Sequence, residues 1–96
     1  MKTVSTWQDF VKEPEKRDNI LMVAEKSKRD LLNYLQSAPV YAAAAGMVFD
    51  EIAGTQTNIP LLAYEKDGFL WDSRDIYYLD KYNMKLNDEF MAHVLG

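Results

Sequence analysis

Apolar residues near the start of the chain recur with the spacing of an amphipathic helix. Trp7, Phe10 and Val11 share one face at i, i+3 and i+4. Thr6 stands at the expected N-cap, and Asp9 follows three residues later, in the position that a capping box uses. The pattern predicts a short first helix.

A longer run of helical spacing follows Glu13-Pro14. The residue before a proline is pushed out of the helical region, and a proline suits the first turn of a new helix. Charged residues fall mostly on the opposite side of the pattern and predict a solvated face. This second helix is predicted to end at Ser37-Ala38-Pro39. Its apolar positions are Ile20, Leu21, Val23, Ala24, Leu31, Leu32 and Leu35.

Residues 42–46 are four consecutive alanines and a glycine, which have the smallest side chains. Alanine has the highest helix propensity, Pro39 suits a helix start and Gly54 suits a helix end. The stretch therefore predicts a third helix. On a helix, Ala42, Ala45 and Gly46 would present a face that another backbone can approach closely. We expect that face to pack against the second helix or, as the alternative, to form a homodimer.

Two apolar and aromatic runs, residues 61–65 and 69–73, flank Lys66-Asp67-Gly68 and predict an antiparallel β-hairpin. A two-residue loop and a three-residue loop both fit, and the choice sets the register of the strands. Residues 55–58 are polar and predict a linker.

The last third of the chain carries two helix-start signals. Asp72 or Ser73 can cap a helix through residues 76–82, although a third strand is the alternative there. Asn87 is the predicted N-cap of a terminal helix. Together the patterns predict an α+β fold in which residues 1–96 form one domain. About five helices, three of them in the first half, would pack with the hairpin.

Charge is distributed unevenly along the chain, whose net charge is −4. Residues 1–48 carry seven Lys/Arg and six Asp/Glu, whereas residues 49–96 carry four Lys/Arg and nine Asp/Glu. The second half therefore has a net charge of −5. An excess of carboxylates disfavours a phosphate backbone, so we expect no direct binding of nucleic acid and favour a basic partner.

Residues that carry enzyme chemistry are sparse. The chain has no cysteine, and its four glycines are scattered rather than grouped in a phosphate loop. The one histidine, His93, is interpreted as structural. Asp72 and Asp75 are three residues apart and are interpreted as helix-capping residues rather than as a metal-binding or acid–base pair. We therefore predict no catalytic residue, no metal site, no cofactor and no enzyme activity.

The hydropathy pattern predicts a protein that does not enter a membrane, and the absence of cysteine fits the cytoplasmic location that we expect. The longest apolar run, residues 39–49, has 11 residues, whereas a membrane-spanning helix needs about 20. The N-terminal residues lack the apolar run of a signal peptide.

An acidic and aromatic segment between residues 64 and 82 is the main candidate for function. Tyrosine and tryptophan are favoured interface anchors. We therefore predict a small non-enzymatic protein-binding module, such as an inhibitor, an immunity- or antitoxin-like protein or a regulatory adaptor. The alternatives are a small-molecule sensor and a self-associating structural module. The predicted partner-binding residues are Trp71, Asp72, Asp75, Tyr77, Tyr78, Asp80 and Tyr82.

Overall fold

The structure is a computed structural model that describes residues 2–4, 6–13 and 25–96. These residues form an α+β fold with four helices and a four-stranded mixed sheet, which confirms the predicted class. The predicted five helices and lone hairpin fit it only roughly. In chain order the elements are β1 (Lys2–Thr3), α1 (Trp7–Lys12), α2 (Glu25–Gln36), β2 (Val40–Asp50), β3 (Thr55–Lys66), β4 (Phe69–Asp72), α3 (Ser73–Tyr82) and α4 (Asp88–Leu95).

The sheet has the strand order β1, β4, β3, β2. The β2–β3 and β3–β4 pairs are antiparallel, and the short β1 runs parallel to β4. β1 therefore lies at one edge and β2 at the other. Of the two, β2 is the longer edge, with 11 residues.

The connection between β3 and β4 is a two-residue loop. Lys66 pairs with Phe69, which leaves Asp67 and Gly68 between the strands, at φ of 55° and 84°. Positive φ at both loop residues is the requirement of a type I′ turn, which Asp-Gly meets well. The predicted hairpin is thus confirmed, and its open register is fixed with Tyr64 opposite Trp71.

The predicted helix over the alanine run is wrong, because residues 40–50 form strand β2. Residues 55–58, predicted as a linker, belong to its partner strand β3. Helix propensity is a weak prior that tertiary context overrides, and here a long antiparallel ladder with β3 supplies that context. The helical face predicted for Ala42, Ala45 and Gly46 therefore does not exist. All three are exposed strand residues.

The β2–β3 ladder is interrupted by bulges. Its register passes from Ala43 opposite Leu62 to Met47 opposite Pro60, so β2 carries two more residues than β3 over this interval. Pro60 has no N–H to donate to the ladder, and prolines inside sheets are found at such irregular positions. Gly46 lies in the bulged interval with a φ of 98°, a conformation that glycine adopts at little cost.

Helix α3 confirms one capping prediction and removes an alternative. Residues 73–82 are helical, so the third strand considered for 76–82 does not form. The Asp72 carboxylate accepts a hydrogen bond from the Arg74 amide at 2.8 Å, and the Asp75 carboxylate accepts one from the Asp72 amide at 3.0 Å. Asn83 ends the helix in the left-handed conformation.

The two remaining cap predictions have opposite outcomes. The Asn87 side chain accepts hydrogen bonds from the Glu89 and Phe90 amides, which confirms it as the N-cap of α4. Thr6 makes no cap hydrogen bond. Its hydroxyl instead donates to the carbonyl oxygen of Lys85 at 2.7 Å. Because the two residues are 79 positions apart, the local sequence could not predict this contact.

The hydrophobic core lies between the helices and the sheet. Residues from near both ends of the described chain pack together in this core. The predicted apolar positions Leu31 and Leu35 of α2 are buried here, whereas residues 20–24 lie outside the described residues. The buried apolar cluster comprises Val4, Phe10, Leu31, Leu35, Phe69, Trp71, Tyr78, Leu79, Met84, Leu86 and Phe90.

Gly46→Ala distinguishes the strand from a helix by the sign of its effect. In a helix, alanine is favoured over glycine by about 1 kcal/mol. At a φ of 98° the added methyl group strains the backbone, and we expect a loss of about 1 kcal/mol in the free energy of unfolding. Urea denaturation measures the change. Ala44→Ser, at an exposed neighbour, is the control, and stabilisation by Gly46→Ala would contradict the strand.

Candidate functional site

Two of the predicted partner-binding residues belong to the core. Trp71 and Tyr78 are 1% and 0% exposed. The Trp71 ring packs on Phe90, with 5.6 Å between ring centroids, and the Tyr78 ring packs on Phe10, with 6.2 Å. Both side chains are therefore enclosed by the core of the fold.

Asp72 and Asp75 serve the start of α3. Besides the cap, Asp72 forms an ion pair with Arg74, with 2.9 Å between nitrogen and oxygen, and the Arg74 guanidinium lies over the Trp7 ring at 4.5 Å. Asp75 is buried. The predicted capping role of the pair is therefore visible in the structure.

A buried carboxylate ties β2 to α3. Asp50 is 0% exposed and ends β2. It accepts hydrogen bonds from the hydroxyls of Tyr77 and Tyr82, both at 2.6 Å, and from the amides of Ile52 and Ala53 at 2.9 and 2.8 Å. We call this set of contacts the Asp50 anchor. The two tyrosines lie 27 and 32 positions after Asp50 in the chain. The Asp50 anchor therefore fixes the turn between β2 and β3 against α3.

The Asp50 anchor favours an ionised carboxylate. Burial by itself raises the pKa of Asp50, but hydrogen bonds from the Ala53 amide, Tyr77, Tyr82 and the Ile52 amide outweigh it and lower the pKa to about 2. Burial and the neighbouring Asp50 charge raise the pKa of Tyr82, which keeps its hydroxyl a donor. The ammonium group of Lys81, whose side chain is half exposed, lies 3.7 Å from the Asp50 carboxylate and adds a positive charge on its solvent-facing side.

Tyr78 reinforces the same junction from inside the core. Its hydroxyl accepts a hydrogen bond from the Glu51 amide at 3.0 Å and lies 3.4 Å from the Phe49 carbonyl oxygen, to which it donates. The tyrosines of α3 thus serve largely to position the β2–β3 turn. The sequence gives no local signal for this role, because the groups that meet are far apart in the chain.

An open cleft of about 300 Å³ lies between β3 and α3. Its walls are mostly apolar, and Gln36 at the end of α2 also borders it. The hydroxyl of Ser73 is already occupied: it donates to the Pro60 carbonyl oxygen at 2.7 Å and accepts from the Leu62 amide at 2.9 Å. Other residues that line the cleft include Ile59, Pro60, Leu62, Ile76, Tyr77 and Asp80.

Asp80 is the acidic group of this cleft. Its side chain is exposed on α3, one turn beyond Ile76. Within residues 2–4, 6–13 and 25–96 no hydrogen bond or ion pair engages its carboxylate. Of the predicted partner-binding residues, Asp80 and Tyr77 line the cleft together, whereas Tyr82 contributes to the Asp50 anchor.

The hairpin of β2 and β3 carries most of the exposed large apolar side chains. Of six such residues in the described chain, only Leu95 lies elsewhere. Sequence reasoning missed this surface, because it assigned the segment to a helix. The other five, with their exposed fractions, are Val40 (54%), Tyr41 (61%), Met47 (48%), Phe49 (46%) and Ile59 (38%).

His93 has a structural environment. Its ring packs on Phe69, with 5.2 Å between ring centroids, and its Nε2 atom lies 3.3 Å from the Asp67 carboxylate. Among the described residues no group of three His, Cys, Asp or Glu side chains could hold a metal ion. None of the described helices is both long and apolar enough to cross a membrane.

Comparison with protein-family models, curated protein sequences and solved structures finds no significant match to this chain. No residue role is therefore transferred from a relative, and the cleft and the apolar hairpin are the two candidate surfaces.

Asp50→Asn tests the anchor through the pH dependence of stability. The pKa of Asp50 is about 2 in the fold against an ordinary 3.8, so its stabilisation is present above pH 4 and is lost as the pH falls towards 2. The shift corresponds to about 2 kcal/mol. We expect Asp50→Asn to lower the free energy of unfolding by about that amount at pH 7 and to flatten its decline between about pH 4 and 2.

Urea denaturation across this pH range measures both effects. Asp30→Asn, at an exposed carboxylate on α2, is the matched control. An Asp50→Asn variant that loses stability with acid as steeply as the native protein would contradict the assignment.

Proposed function

We propose that this protein is a small, non-enzymatic protein-binding module that docks a basic partner at the cleft between β3 and α3. The observation that carries the proposal is the exposed Asp80 carboxylate beside an apolar cleft. An inhibitor, an immunity- or antitoxin-like protein or a regulatory adaptor in the cytoplasm would act in this way, by occluding the partner's surface.

The chemistry of the cleft suits the side chain of a lysine or arginine. Such side chains lay their methylene stems along apolar surface while the charged head stays near water. Here Ile59, Pro60 and Ile76 would contact the stem, and Asp80 would bind the head. A carboxylate with no partner among the described residues is available for this role without breaking an existing contact.

The charge of the molecule supports the same class of partner. The second half of the chain, which supplies most of the cleft, carries nine Asp/Glu against four Lys/Arg. A negative field steers a positively charged surface into contact and raises the association rate. Because this attraction is screened by salt, binding should weaken as ionic strength rises.

A small-molecule ligand is the second candidate for the same cleft. Its volume of about 300 Å³ is at the lower end of the volumes of ligand pockets. A ligand that binds the folded state raises the unfolding temperature, so a thermal-shift screen with amines and other metabolites separates this candidate from a protein partner.

Capture from a lysate of the source organism tests the protein-binding proposal. We expect a basic protein to be retained by the native chain at low salt and to be released at high salt. Asp80→Lys should weaken its binding by at least about tenfold, because the carboxylate that pairs with the partner becomes a like charge. The affinity is measured with the purified partner.

Asp30→Lys is the matched control, since it makes the same change in net charge at an exposed site on α2 away from the cleft. If Asp30→Lys lowers the affinity for the partner as much as Asp80→Lys does, the attraction comes from net charge alone and the cleft is not the docking site. Capture that is indifferent to both salt and Asp80 would also contradict the proposal.

A further inference from the structure

The outer edge of β2 is a second candidate surface, independent of the cleft. β2 is the last strand of the sheet, and within the described residues no strand pairs with its outer side. Ten consecutive residues, Val40–Phe49, carry no charged side chain. A long apolar edge strand without charges is a template for pairing with another strand.

Two exposed aromatic residues of β2 lie at equal distances along the chain from Ala45. Tyr41 lies four residues before it and Phe49 four residues after it, and both aromatic side chains are exposed. In an antiparallel pair of identical strands centred on Ala45, Tyr41 of each copy would stand opposite Phe49 of the other. Aromatic pairs across antiparallel strands are stabilising.

One of the three register shifts in the β2–β3 ladder falls at the same centre. It lies between Ala43 and Met47 and includes Gly46 at positive φ, whereas the other two lie between Val40 and Ala42 and between Met47 and Phe49. A two-fold axis at Ala45 would place this interval of one copy against the same interval of the other. The small side chains there let the two backbones approach at the axis.

We propose that two copies of this protein pair their β2 strands antiparallel about a two-fold axis at Ala45, which joins their sheets into one. A second copy suits this edge because the interval is neutral, so chains of net charge −4 can meet there without bringing like charges together. A two-fold arrangement also closes on itself and leaves no growing end.

Charge substitutions at the axis test this arrangement. Ala45 is exposed, so lysine or glutamate there should leave the fold intact, as circular dichroism and thermal melting will verify. Ala45→Lys brings two like charges face to face in the dimer, as does Ala45→Glu. We expect either variant to raise the dimer dissociation constant at least about tenfold in sedimentation velocity.

An equimolar mixture of Ala45→Lys and Ala45→Glu should recover the dimer, because opposite charges then meet at the axis. Leu95→Lys, which places the same charge at an exposed apolar site on α4, should leave the dimer unchanged. A native chain that is monomeric at about 100 µM, well above weak-dimer affinities, would overturn the proposal. A dimer that resists both substitutions, or variants that fail to recover on mixing, would do so as well. None of these outcomes bears on Asp80, so the cleft is tested separately.

Discussion

The carboxylate of Asp50 joins the end of β2 to helix α3, two parts of the chain that are far apart in sequence. It ends the edge strand β2, and two tyrosine hydroxyls from α3 and two amides from the following turn converge on it within 2.9 Å. A buried charge is tolerated only when it is hydrogen-bonded in this way. The attachment to α3 through Asp50 and Tyr78 gives the turn between β2 and β3 a defined position in the fold.

Both proposed binding surfaces depend on that attachment. Tyr77 borders the cleft, and its hydroxyl is held by Asp50. Phe49, one of the two aromatic residues of the proposed dimer strand, directly precedes the same aspartate. The surfaces nevertheless differ in chemistry. The cleft presents an acidic group to a partner of opposite charge, whereas the β2 edge presents backbone groups and uncharged side chains, which suit an identical strand.

Sequence reasoning succeeded where structure is encoded locally. Asp72 and Asn87 cap helices, and Asp67-Gly68 forms the turn of the hairpin, because each of these signals acts within a few residues. It failed on residues 40–50, where high helix propensity yielded to pairing with a distant strand. The cleft and the Asp50 anchor were not predictable for the same reason. The hydroxyls that bind Asp50 lie 27 and 32 residues further along the chain, and the cleft exists only once β3 and α3 are packed.

The position of the alanine-rich segment as an edge strand of the sheet determines both the Asp50 anchor and the exposed β2 edge. Nuclear Overhauser contacts in the labelled protein report on this directly. We expect cross-strand contacts between Ala43 and Leu62 and between Val40 and Tyr64. Contacts between the Hα of Ala42 and the Hβ of Ala45, which are three residues apart and adjacent only on a helix, would contradict it.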